Sequence, residues 1–229
     1  MDEMHHTGPH EHGALEHHHS VLSEIFCHLP YAIFSVALSM VFMSLLAFLP
    51  TGEQQYGEAC YRLFHNFHFL HILFAATGTM LTFRRYSKNL ILGIVVGFLV
   101  PLLFCTFSDA VLPYLGGRML QLDMHFHWCL FSHLDIVLPF LLVGMLNGWV
   151  MSMHGKTLQM FYSVGFHVMH IFISAMASLV YLVSFGLSDW YSYMGIIFLF
   201  KIVAVLIPCT LSDIVVPMLF ARLNKDAAE

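Results

Sequence analysis

The sequence predicts an all-α integral membrane protein of six transmembrane helices, arranged as two inverted three-helix repeats. Three observations predict it. The chain is 59% hydrophobic and only 10% charged over 229 residues, with mean hydropathy +0.76, whereas soluble domains carry about 25% charge. Six apolar stretches, near residues 24–49, 59–83, 89–115, 129–153, 158–185 and 192–221, each reach the roughly 20 helical residues that cross a hydrocarbon core. Two polar phrases then occur once in each half. Phe67-His68-Phe69-Leu70-His71-Ile72 returns as Phe166-His167-Val168-Met169-His170-Ile171. Cys105-Thr106-Phe107-Ser108-Asp109-Ala110-Val111-Leu112-Pro113 returns as Cys209-Thr210-Leu211-Ser212-Asp213-Ile214-Val215-Val216-Pro217.

The first element, residues 1–21, reads as a cytoplasmic and disordered tail. It holds seven of the 17 histidines, in His5-His6, His10-Glu11-His12 and His17-His18-His19. Short His-rich tracts are compositionally metal-binding. No cleavable signal peptide is expected, because the first twenty residues are polar rather than basic and then apolar.

Repeat 1 is expected over 22–117 and repeat 2 over 129–224, joined by an outer linker at 118–128 and followed by a tail at 225–229. Three crossings leave the chain on the far side, so consecutive three-helix units have opposite orientation. Such inverted pairs are the architecture of many secondary transporters, which bind substrate between the repeats. The first helices align weakly, Phe26-Cys27-His28-Leu29 with Phe131-Ser132-His133-Leu134.

In the second helix of each repeat, residues three apart share a face. His68 and His71 therefore point together, as do His167 and His170, and each pair can hold one metal ion. Imidazole suits zinc, iron, nickel, copper and cobalt, and a carboxylate completes a four-ligand site. His65 extends the first face by another turn but has no counterpart in the second half.

The third helices supply the carboxylates, Asp109 and Asp213. Pro113 and Pro217 follow four residues later, so each removes the hydrogen bond to that Asp carbonyl and is expected to break the helix there. A freed carbonyl beside a carboxylate suits a cation.

Depth sorts these groups into an outer set, His68, His71, Asp109 and His133, and an inner set, His28, His167, His170 and Asp213. Each would be a His3Asp metal site. In the linker, Asp123, His125 and His127 are placed to funnel ions toward His133. A lone membrane histidine can simply bond a neighbouring helix, for about 0.6 kcal/mol. Two repeated aspartates, each costing roughly 2.5–3.5 kcal/mol at mid-bilayer, favour metal or proton chemistry over packing. Glu24, Asn66, Ser108 and Ser212 are candidates to orient the ligand histidines.

Cytoplasmic loops collect basic residues. Arg84, Arg85, Lys88, Lys156, Arg222 and Lys225 fall on the side shared by both termini, against Arg62, Arg118 and Lys201 on the other, so both termini are expected to be cytoplasmic. Cys27, Cys60, Cys105, Cys129 and Cys209 include no CxxC pair, which argues against a disulfide framework. Cys105 and Cys209 are repeat partners and read first as small hydrophobes, with a thiolate-ligand role left open.

The function expected is transmembrane transport of a divalent transition-metal ion, zinc or iron first and manganese, nickel or cobalt also fitting, with proton coupling through the same His and Asp residues. The alternatives are a membrane metalloenzyme using a His3Asp metal to activate water, and a di-haem electron carrier, which needs histidines paired across helices. The partners expected are the lipid bilayer and metal ions, without nucleic acid; a homo-oligomer fits the class.

Overall fold

The structure is a computed structural model that describes residues 21–48, 53–187 and 189–226. Among them there is no strand. The first half runs α1 (Val21–Ala47), α2 (Glu53–Tyr86), α3 (Leu90–Thr106), a π-helical turn (Phe107–Val111) and α4 (Leu112–Met119). The second half runs α5 (Cys129–Ser132), α6 (Leu134–Ser152), α7 (Lys156–Ser184), a 3-10 turn (Trp190–Tyr193), α8 (Met194–Thr210), a second π turn (Leu211–Val215) and α9 (Val216–Asp226). The His-rich tail lies outside the described residues.

Five helical stretches among the described residues are long and apolar enough to cross a membrane: Ile25–Ala47, Leu90–Met119, Leu134–Ser152, Gly165–Ser184 and Trp190–Asn224. They make this a multi-pass membrane protein. Four of them turn apolar residues outward, as Phe34, Leu45, Leu103, Leu142 and Leu199 show, which is the surface that lipid would cover, whereas Gly165–Ser184 is mostly buried. The remaining long helix, α2, spans 34 residues but carries His65, Asn66, His68 and His71 along its middle. Its polar character has a physical reason. α2 packs against α3, α6, α7 and α9, so it has little need of an apolar outer face.

α2 and α7 form the centre. α6 lies against α2, and α1 against α7. The α2–α6 crossing is close because Gly144 and Gly148 offer no side chain. A Cβ at either would run into the backbone oxygen of Leu73 or Thr77, the small-residue logic of membrane helix packing. The hydroxyl of Thr77 also donates to the Gly144 carbonyl at 3.1 Å. On the other flank Ala32 and Val36 of α1 pack with Ile171, Ala175, Val205 and Cys209.

The prolines do not break their helices. Each is absorbed by the π turn that precedes it, where the Leu112 amide bonds the Phe107 carbonyl and the Val216 amide bonds the Leu211 carbonyl. One extra residue per turn moves the Asp109 and Asp213 carbonyls off the proline rings, which relieves the clash that interrupts an ordinary helix. A true break occurs elsewhere, at His133 (φ −135, ψ 35), between α5 and α6. Lys201, counted from sequence with the far-side basic residues, is buried within α8 at 1% exposure.

Candidate metal centre

His68, His71, His167, His170, Asp109 and Asp213 are all buried. The helix face places His68 and His71 together, and the first π turn swings Asp109 to meet them. His68 Nδ1 donates to Asp109 Oδ2 at 2.8 Å and His71 Nδ1 to the same oxygen at 2.7 Å. The other oxygen, Oδ1, accepts from Ser108 Oγ at 2.9 Å and from Ser174 Oγ at 3.1 Å. Four donors saturate that carboxylate.

The second half repeats the plan with one difference. His167 and His170 donate from Nδ1 to Asp213 Oδ2 at 3.2 and 2.5 Å, but Asp213 Oδ1 has no hydrogen-bond partner among the described residues. Gly78 stands beside it, and a Cβ there would lie 2.8 Å from the Asp213 carboxyl. A cavity of about 430 Å³ opens at this place, lined by His28, His167, Thr77, Gly78 and Asp213 among others. The exposed Cys27 and Tyr31 also line it. His28 reaches His167, ring centroids 4.2 Å apart, at this end.

The two sets are in direct contact. His71 Nε2 and His170 Nε2 face each other at 2.5 Å, so outer and inner sets meet near the middle of α2 and α7. Cys209 Sγ lies 3.7 Å from His71 Nε2. Tautomers follow from the carboxylates. A neutral imidazole has one N–H, and a carboxylate acceptor claims it on Nδ1 in both rings. When both rings are neutral, both Nε2 atoms carry bare lone pairs, aimed at one another. That is repulsive unless a cation lies between them. His68 Nε2 and His167 Nε2 are likewise buried lone pairs without a partner among the described residues.

No protein-family model matches this chain, and no curated protein or solved structure matches it. Its chemistry is therefore read from its own residues.

His71, His170 and Cys209 can together hold a metal ion, as can His167, His170 and Asp213. The buried groups are compatible with a membrane metal site of nitrogen and sulfur ligands, with Asp109 and Asp213 orienting imidazoles from behind. A haem does not fit between His71 and His170, because their nitrogens are already in contact and a porphyrin needs a slot. His133, expected beside His68 and Asp109, is grouped instead with His65 and His127. The helix break turns its ring away, to 4.8 Å from the His65 ring.

Ser174 and Gly78 shape the site and carried no sequence signal, since neither belongs to a repeated phrase. The one clue to Cys209 was its place in the strict repeat. Lys201 Nζ is buried with no hydrogen-bond partner among the described residues.

Proposed function

We propose that this protein carries a divalent transition-metal ion across the bilayer, with zinc and iron(II) the first candidates and manganese, nickel and cobalt also suited. In this reading six helices cross the membrane as two inverted repeats, with both termini cytoplasmic. Support for the repeats comes from the matching 17-residue helices α3 and α8, each followed by a five-residue π turn that carries the aspartate. The exchange of first helices, α1 onto α7 and α6 onto α2, favours the same plan.

The observation that carries the proposal is the His71–His170 contact. Each half contributes one carboxylate-oriented imidazole, and the two bare nitrogens need a shared cation. A metal ion held there belongs to both halves. Rocking one half against the other then changes its coordination, which is what a transport cycle requires. A proton satisfies the same lone pairs, so metal leaving and proton arriving are exchangeable events and coupling between them follows. The cavity beside Asp213 gives the ion a route on one side, whereas Asp109 is sealed.

The test is uptake of zinc, iron(II), manganese, nickel and cobalt into proteoliposomes. Asp109→Asn and Asp213→Asn keep size but remove the charge that offsets a cation and turn one accepting oxygen into a donating amide, so each abolishes uptake in a folded protein. No flux of any ion in the parent ends the proposal, and full flux in either variant ends the paired-site mechanism.

A further inference from the structure

The strip of histidines on α2 does not end at the buried centre. One turn toward the start of α2, His65 meets two residues from other parts of the chain, His127 of the linker and His133 at the α5–α6 break. Their nitrogen ligand atoms all lie within 4.8 Å of one another. No carboxylate belongs to this group, and it lies at the end of the bundle opposite the cavity beside His28.

We propose that His65, His127 and His133 form a second, separate metal site, a three-histidine set with an open fourth position that takes a zinc-like divalent ion. Three imidazoles plus a water is the ligand set of open tetrahedral zinc sites. His65 is oriented for it, because its Nδ1 donates to the Tyr61 carbonyl at 2.8 Å and leaves Nε2 as a lone pair. That second bond is the usual way a protein fixes the ring of a metal-binding histidine. His65 Nε2 lies 3.1 Å from His127 Nε2.

The linker is built to hold His127 in place. The His127 ring stacks on Phe185 with centroids 5.3 Å apart and planes 13° apart, and its backbone amide donates to Tyr181 Oη at 3.2 Å. Two residues earlier, the His125 amide donates to the Phe185 carbonyl at 3.0 Å. A hydrogen bond between His65 and His127 alone would account for that pair, but not for the convergence of His133 from a third element through a helix break. The site shares no residue with the His71–His170 centre, so it can bind metal whether or not that centre transports.

The full-length protein is stripped with a chelator and labelled with diethylpyrocarbonate, with and without zinc, and modified histidines are read by peptide mass spectrometry. This separates the tail histidines from the three in question. With zinc at about ten times its Kd, labelling of His127 and His133 slows about tenfold. In His65→Gln or His133→Gln that protection of His127 is lost, while His71→Gln retains it. Equal labelling of His127 with and without zinc in the parent overturns the proposal, as does protection that survives both His65→Gln and His133→Gln.

Discussion

His71 and His170 meet tip to tip in the middle of the bundle, each with Nε2 toward the other at 2.5 Å and Nδ1 on an aspartate of its own half. A tetrahedral zinc ion with Zn–N near 2.0–2.1 Å holds two nitrogens about 3.3 Å apart. Binding metal therefore spreads the pair by nearly an ångström, and exchanging it for a proton lets the pair close. Occupancy of the centre and the spacing of α2 and α7 are linked.

A shared centre makes a distinctive prediction for metal content. His71→Gln and His170→Gln each remove the same zinc ion, so either single variant loses as much as the double, where two independent sites would lose additively. Elemental mass spectrometry of purified full-length protein reads the difference from the parent, in which binding by the tail cancels. Additive losses would show that the halves bind separately.

Ser174 lies behind Asp109, which lies behind His68 and His71. Ser174→Ala removes a donor to Asp109 Oδ1 at 3.1 Å and loosens the carboxylate that sets both rings. Zinc affinity is expected to fall roughly tenfold, the lower end for residues that orient ligands from behind. Competition against a chelator of known affinity measures it, and an unchanged affinity would mean that the serine only fills space.

Gly78 keeps the cavity side of Asp213 clear. Gly78→Ala drives a methyl group into that carboxyl, whereas Gly165→Ala meets nothing within 4 Å. Zinc uptake by proteoliposomes falls in the first and persists in the second. Equal uptake in both would place the ion's route elsewhere.

The α2–α6 crossing predicts a stability effect independent of metal. At Gly148 an added Cβ meets the Thr77 backbone and the Met80 side chain, so Gly148→Ala forces the helices apart at a cost of about 1–3 kcal/mol. A lowered thermal midpoint of the metal-free protein in detergent is the expected result.

Much of this arrangement is legible in the residues themselves. Apolar stretches mark the long helices, the i,i+3 spacing puts His68 with His71 and His167 with His170, and the repeated Ser-Asp phrase supplies the carboxylates to each pair. What the sequence hides is three-dimensional. Proline at position i predicts a break, but a π turn is a second solution that local sequence does not distinguish, and it is the one used at Asp109 and Asp213. The depth of each cluster depends on helix register in the membrane, so the meeting of His71 with His170 appears only when α2 and α7 are packed. His133 follows the backbone break at α5–α6 and not the alignment with His28. Lys201 counts toward the far-side charge in the sequence, yet it is buried in α8.

The central claim is that one metal ion sits between the two halves, on His71, His170 and Cys209. Cobalt(II) substitution of the full-length protein tests it directly, because thiolate ligation gives a near-ultraviolet charge-transfer band and the His-rich tail contains no cysteine. The band is expected in the parent, weakened or lost in Cys209→Ser, and lost in both His71→Gln and His170→Gln. A parent without the band, or a band of unchanged intensity in Cys209→Ser, would contradict the shared centre.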